Sequence, residues 1–95
     1  MSLDAPARAE GPRGPMRGWC RSLSQAGMYF SGMQLPLGQS VDVTVDLPDP
    51  VGKFHAMGEV RYHRADDRGA GMGIRFTRLS QEDLARIHQF VARNA

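Results

Sequence analysis

Three arginines spaced four residues apart, followed by a short serine and glycine segment, form the part of the sequence that could recognise an anion. Arg13, Arg17 and Arg21 stand in "RGPMRGWCR", and "SLSQAG" follows from Ser22 to Gly27. A guanidinium group presents a planar fork of donors that matches a phosphate or the acceptor edge of guanine, and its flat face stacks on rings. Because glycine and proline interrupt the segment, we expect a loop that closes over a flat, negatively charged ligand.

The basic residues have simpler explanations that stay open on the sequence alone. Of the 12 basic residues 11 are arginine, and Lys53 is the one lysine. An arginine-rich genome would give the same bias, and a solvated protein face would carry the same charges. A second group of arginines surrounds a predicted hairpin and could meet the first across a barrel mouth: Arg61, Arg64, Arg68, Arg75 and Arg78.

The other reactive residues do not predict an enzyme or a metal site. His55, His63 and His88 have no acidic or nucleophilic partner at a telling spacing, and the single cysteine, Cys20, can form no internal disulfide. We therefore expect no catalysis, no cofactor, and a partly buried Cys20 in a reducing cytoplasm. No apolar run approaches the roughly 20 residues that cross a bilayer, so membrane insertion is not expected.

Alternating apolar and polar residues predict the strands that would position these groups. "SVDVTVDLP" places valines and a leucine on one face of a strand and aspartates and a threonine on the other. "FHAMGEVRYHR" and "MGIRFTR" alternate in the same way and are close enough in sequence to pair as a hairpin, with Phe54, Tyr62 and Phe76 on the apolar faces. "QAGMYFSG" predicts a further short strand, and the glycines of "GAGMGIRF" suit a turn and close backbone approach.

The two ends of the chain differ from the middle. Residues 1–16 mix proline, glycine, alanine and charge without a period, which predicts a flexible leader, with the folded domain at residues 17–95. Ser80 and Asp83 form a capping-box-like start for one amphipathic helix over about residues 80–93. The fold class is therefore mainly β: a small six-stranded, or alternatively five-stranded, antiparallel barrel with a C-terminal α-helix.

The order of these motifs resembles the PilZ domain family, the bacterial receptors for cyclic di-GMP. "SLSQAG" stands where the family has D/NxSxxG, while "LPLGQSVDVTVDLP", "GEVRYHR" and "GMGIRFTRLSQEDLARIHQFV" match its later strands and helix. The resemblance covers residues 21 to 92 and implies a six-stranded barrel with a C-terminal helix. It also implies that Ser24 contacts the ligand and that Gly27 lets the backbone approach it.

Two positions depart from the family pattern. Ser22 replaces the aspartate or asparagine that contacts guanine, and a hydroxyl offers less to that contact than a carboxylate or an amide. In the family a whole strand separates an RxxxR pair from the second motif, whereas Arg13/Arg17 and Arg17/Arg21 lie almost against it. Either the first strand is shortened or missing, or the family's arginines are not in this chain.

The resemblance implies a cyclic di-GMP binding and signalling module that acts on a protein partner. The ligand-binding residues would be Arg13, Arg17, Arg21, Ser22, Ser24 and Gly27, with Arg61 and Arg75 as additions. One alternative is a degenerate PilZ adaptor that binds no nucleotide and acts through proteins in motility, pilus or polysaccharide systems. A barrel for single-stranded nucleic acid is disfavoured, because such proteins expose several aromatic side chains and the aromatic residues here fall on apolar faces.

Overall fold

Six antiparallel strands close into a barrel in the computed structural model, which describes residues 1–94. The strands are β1 (Ser2–Gly11), β2 (Gly14–Leu23), β3 (Gly27–Ser31), β4 (Ser40–Leu47), β5 (Gly52–Asp66) and β6 (Gly69–Arg78), and the helix is α1 (Gln81–Arg93). Around the barrel the order is β1-β2-β3-β6-β5-β4, and β4 pairs with β1 to close it. This architecture confirms the predicted six-stranded barrel with a C-terminal helix.

Strand β4 follows the predicted two-residue period. Val41, Val43, Val45 and Leu47 are buried in the barrel, and the intervening residues face outward. Val45 lies opposite Phe54 of β5, so the inward residues of neighbouring strands form one continuous core. Because successive side chains of a strand point to opposite faces, this alternation alone determines which face of β4 is buried.

Strand β1 corrects the prediction of a flexible leader over residues 1–16. Ala5, Ala7 and Ala9 are buried in the barrel, and β1 forms a hairpin with β2 and a second ladder with β4. The ladder with β4 begins at Ala7, so Pro6, which has no N–H to donate, lies outside it. The inward face is made of alanine, whose weak apolar signal among proline, glycine and charge hid the alternation.

Helix α1 begins as predicted. The Ser80 hydroxyl accepts a hydrogen bond from the Asp83 N–H at 3.0 Å, and the same hydroxyl donates to the Asp83 carboxylate at 2.9 Å. Ile87 and Phe90 are buried against the barrel, where the helix contacts β5. On the helix surface His88 Nε2 lies 2.5 Å from Gln25 Oε1, which joins the helix to the β2–β3 turn.

Strand β5 continues past the end of its ladder with β4 at Glu59, and its burial pattern changes there. The predicted pairing of the two strands is confirmed from Met57 to Asp66, but the ladder contains an irregularity between Val60 and Tyr62. Beyond it the side chains up to Ala65 are exposed, and Tyr62 retains 46% of its accessible surface. The expectation that Tyr62 belongs to the apolar face is therefore wrong, because the bulge ends the alternation at Val60.

Candidate functional site

The serine and glycine motif lies beside the hairpin arginines in one open cleft. This cleft, of about 470 Å³, lies between the β2–β3 turn and the exposed part of the β5–β6 hairpin. Its lining includes Ser22, Ser24, Gly27, Arg61, Tyr62 and Arg75. The structure therefore brings together half of the six predicted ligand residues and both of the suggested additions.

The β2–β3 turn owes its shape to Ser24 and Gly27. The Ser24 N–H donates to the Gly27 carbonyl at 2.9 Å, and the Ser24 hydroxyl accepts from the Ala26 N–H at 3.2 Å. A Cβ atom on Gly27 would lie 2.3 Å from the carbonyl oxygen of Ile74, so β3 and β6 can pair this closely only because residue 27 is glycine. The close approach that Gly27 allows is one between β3 and β6, and its expected approach to a ligand stays a prediction.

Tyr62 forms an aromatic wall of the cleft. Its ring lies against the backbone of Gly73, where an added Cβ would be 1.9 Å from Tyr62 Cε2. The ring is nearly parallel to that of Tyr29, with an interplanar angle of 16° and a centroid separation of 6.5 Å. The Arg64 guanidinium carbon lies 4.4 Å from the centroid of Tyr29. The wall thus presents an exposed ring backed by a second ring and a cation.

The two arginines of the cleft differ in how they are engaged. Arg61 donates to the Glu59 carboxylate at 3.1 Å, in an exposed pair whose strength water limits. Arg75 forms no ion pair with residues 1–94, is exposed, and lies opposite Gly27 across the β3–β6 ladder. The Arg75 guanidinium is therefore the cation of the cleft that is most readily available to an anion.

The chain start also lines this cleft. The Met1 amino group donates to the Leu23 carbonyl at 3.2 Å, and the Leu23 N–H donates back to the Met1 carbonyl at 2.9 Å. Met1 is itself among the residues that line the cleft. These bonds fix the backbone at the beginning of β1 beside the β2–β3 turn.

The three arginines predicted to grip the ligand lie elsewhere. Arg13 lies in the turn between β1 and β2, and Arg17 lies on the outer face of β2 opposite Arg8. Arg21 lies beside the cleft, where its guanidinium binds Asp67 and approaches Asp66 at 3.6 Å. None of the three lines the cleft that contains Ser24 and Gly27, but Arg21 shares a smaller neighbouring cavity of about 270 Å³ with Ser22. All three arginines stand in the β1–β2 hairpin and not in a mobile loop.

Ion pairs hold the β5–β6 turn against the first two strands. Arg68 donates two hydrogen bonds to Asp4, at 2.7 and 2.6 Å, and its guanidinium carbon lies 4.8 Å from the ring centroid of Trp19. The hydrogen bonds from Arg68 lower the pKa of Asp4 below its ordinary value. Burial acts to raise the pKa of Asp66, but the Arg68 backbone N–H, a serine hydroxyl and Arg21 outweigh burial and lower it.

Sequence reasoning missed Tyr62 and Gly73 as members of the site. The signal available was the tract from Arg61 to Arg64, in which consecutive polar and aromatic residues interrupt the alternation. Such an interruption marks the place where a strand leaves the core. Cys20 was expected to be partly buried. It is fully enclosed, and burial raises the pKa of its thiol to about 12, which leaves it a poor nucleophile.

A comparison with models of protein families shows which family this barrel belongs to. The model described as PilZ domain matches residues 1–93. The chain belongs to the PilZ domain family. The resemblance noted in the sequence is thereby confirmed, and the match includes strand β1, which the sequence motifs alone did not cover. As a family, PilZ domains are cyclic di-GMP receptors that act on protein partners.

A solved structure similar to this PilZ domain is the Bacillus subtilis inhibitor of motility (MotI/DgrA). The two agree with a TM-score of 0.81 at 15% sequence identity, over 99% of this chain and 48% of that chain. The PilZ domain thus spans about half of that structure, and at this identity the likeness establishes the fold alone. No curated protein matches the chain. Within residues 1–94, no helix has the length and apolar character needed to span a bilayer.

Proposed function

We propose that this PilZ domain binds cyclic di-GMP in the cleft between the β2–β3 turn and the β5–β6 hairpin, and passes the signal to a protein partner in the cytoplasm. The observation that carries the proposal is that Ser24 and Gly27, the two residues that keep the family motif, share one cleft with Arg75 and Tyr62. The domain would act by binding and not by catalysis.

The chemistry of the cleft suits a ligand with both bases and phosphates. Arg75 can fork onto the O6 and N7 atoms of guanine or pair with a phosphate, and each good bidentate contact contributes roughly 1–3 kcal/mol. The exposed ring of Tyr62 offers a stacking surface, which is worth roughly 1–3 kcal/mol per base. Ser22 and Ser24 supply hydroxyl groups at the turn, where they can donate to a phosphate or a base.

The contacts absent from this sequence set the expected strength of binding. Ser22 gives a hydroxyl where the family has a carboxylate or an amide, and Arg13 and Arg17 lie outside the cleft. A shortened first strand does not explain the position of the arginines, because β1 has ten residues. We therefore expect weak binding in which Arg75 and Tyr62 account for most of the affinity.

Calorimetric titration with cyclic di-GMP tests the proposal. The wild-type domain should bind saturably, and Arg75→Met should weaken binding by at least about fivefold, the lower bound for one bidentate contact. Arg78→Met is the matched control. Arg78 lies on the same strand but outside the cleft, so this substitution removes the same charge without removing a cleft residue. Cyclic di-AMP, which lacks the guanine O6 acceptor, should bind more weakly. A flat titration up to ~1 mM cyclic di-GMP would contradict the proposal. A dissociation constant of ~1 mM corresponds to a binding free energy of only about 4 kcal/mol.

A second candidate function is an adaptor that binds no nucleotide. It is favoured by the engagement of the nearby cations, since Arg61 is paired with Glu59 and Arg21 with Asp67. Ser22 is uncharged, so it does not replace the cations that these carboxylates engage. The adaptor would recover the same protein partner with and without cyclic di-GMP in a pull-down and would give a flat nucleotide titration. Recovery that depends on the nucleotide would exclude this second function.

A further inference from the structure

A second groove crosses the outer face of the barrel away from the serine and glycine turn. It has a volume of about 460 Å³ and is formed by residues of β1, β2, β4 and β5. Its lining includes Pro6, Arg8, Arg17, Trp19, Asp46 and Lys53. None of these residues lines the cleft proposed for the nucleotide.

The centre of this outer groove holds two like charges side by side. Arg8 of β1 lies directly opposite Arg17 of β2 in the ladder, and both side chains are exposed. Like charges directly opposite in an antiparallel pair destabilise the sheet. Arg17 forms no ion pair with any of residues 1–94, and the pair from Arg8 to Glu10 is long, at 3.7 Å, and exposed. The two guanidinium groups therefore carry donors that an external anion can satisfy together.

An apolar strip lies next to the arginine pair. Pro6 of β1 lies opposite Trp19 of β2 in the same ladder. Each is two residues along its strand from the arginine of the pair, with one inward-facing residue between them. Trp19 is 39% exposed. The guanidinium carbon of Arg68 lies 4.8 Å from the centroid of its ring and covers part of the ring. The groove thus combines two adjacent cations with an apolar surface along the direction of the strands, which is the pattern of a peptide site and not of a simple ion site.

Acidic residues limit how much negative charge the groove accepts. Glu10 lies two residues beyond Arg8 on the same face of β1, opposite Asp42 of β4, and Asp46 lies on the other side of the groove. A nucleic acid chain carries a phosphate at every nucleotide and would meet these carboxylates. A short segment with one or two carboxylates can bind at the arginine pair without lying along Glu10 and Asp42, which line the neighbouring cavity.

We infer that this outer groove binds an acidic segment of a partner protein, with a carboxylate between Arg8 and Arg17 and an apolar side chain against Pro6 and Trp19. The inference deepens the protein-partner role in the proposed function by naming its surface, and it does not depend on nucleotide binding. Charge complementarity selects the occupant, because the Arg17 guanidinium, with no ion pair among residues 1–94, lies beside that of Arg8, which has only a long and exposed pair with Glu10.

Trp19 provides the readout, because it is the single tryptophan of the chain and lines the groove. The probes are tryptophan-free octapeptides with two adjacent acidic residues beside leucine or phenylalanine, and the same peptides with asparagine and glutamine. At least one acidic peptide should change the Trp19 emission saturably and bind at least about tenfold more tightly than its amide counterpart.

Paired variants separate the groove from general charge. Arg8→Gln with Arg17→Gln should abolish peptide binding, raise the midpoint of thermal unfolding and leave the cyclic di-GMP titration unchanged. Arg13→Gln with Arg78→Gln removes the same charge elsewhere and should retain peptide binding. The inference is overturned if no acidic peptide binds, if the amide peptides bind equally well, if the groove variant still binds, or if cyclic di-GMP or a single-stranded oligonucleotide displaces the peptide.

Discussion

The ring of Tyr62 occupies the space that a side chain at residue 73 would need, since a Cβ on Gly73 would lie 1.9 Å from Tyr62 Cε2. The glycine on β6 thereby sets the position of the exposed ring on β5. Tyr62 lies past the end of the β4–β5 ladder, and Arg61 and His63 beside it are also exposed, so the ring has room to move if the glycine is changed. The position of the Tyr62 ring in the cleft thus depends on the absence of a side chain at residue 73.

Gly73→Ala should displace the Tyr62 ring and weaken cyclic di-GMP binding about as much as Tyr62→Ala does. Loss of one stacked base corresponds to roughly 1–3 kcal/mol. Tyr62→Phe should retain most of the affinity, because it keeps the ring. Calorimetric titration of the three variants checks the prediction, with circular dichroism to verify folding. Unchanged affinity in Gly73→Ala would mean that the ring does not touch the nucleotide.

Gly27→Ala should destabilise the barrel, because the added Cβ would meet the Ile74 carbonyl at 2.3 Å and backbone atoms cannot rotate away. We expect a loss of about 2–4 kcal/mol in the free energy of unfolding, as for other severe overpacking. Gly11→Ala is the matched control, because its Cβ would meet only the end of the Leu35 side chain, at 3.0 Å. Urea denaturation of both variants measures the difference, and equal stability would contradict the close-approach role of Gly27.

Alkaline pH should unfold the domain partly through Cys20. Burial raises the pKa of this thiol to about 12 from an ordinary value of 9.0. The unfolded chain loses the thiol proton first, so stability is complete below pH 9 and falls as the pH rises from there towards 12. At pH 10 the loss should be about 1 kcal/mol. Cys20→Ala should lack this component, so its stability should fall less between pH 8 and pH 10 in urea titrations. An equal fall in both proteins would contradict the assignment.

Acid should release the β5–β6 turn from β1. The pKa of Asp4 is lowered by its hydrogen bonds from Arg68, so the stabilising contact is present above the ordinary value of 3.8 and is lost as the pH falls through the lower folded value. Arg68 also covers part of Trp19, so the tryptophan emission should report the change. Asp4→Asn should shift the emission at pH 7 towards that of the wild type at acid pH. Identical emission in the two proteins at pH 7 would show that the contact is not formed.

The parts of the fold that the sequence predicted have strong and regular signals. The valines of β4 alternate without interruption, and Ser80 and Asp83 bracket the first turn of α1. Strand β1 was missed because its inward residues are alanines, whose burial contributes little per residue and whose helix preference gives no strand signal. Its place in the barrel depends on pairing with β4, and such a distant contact leaves no local trace in the sequence.

The candidate site was predicted in part for a similar reason. Ser22, Ser24 and Gly27 line one cleft because they are near neighbours at the end of β2, in the β2–β3 turn and at the start of β3. Arg13 and Arg17 were expected to close together on a ligand, which requires a loop. In an extended hairpin residues four positions apart lie about 13 Å from each other, so the same spacing spreads the guanidinium groups along the barrel. The secondary structure, and not the residue types, decided that outcome.

The paired hydrogen bonds between Met1 and Leu23 have a practical consequence for anyone producing this domain. Residues attached ahead of Met1 would emerge at the rim of the cleft that contains Ser24 and Gly27, within reach of the β2–β3 turn. An affinity tag fused there could block the opening or lend it foreign charges. Purification handles are therefore better attached after helix α1.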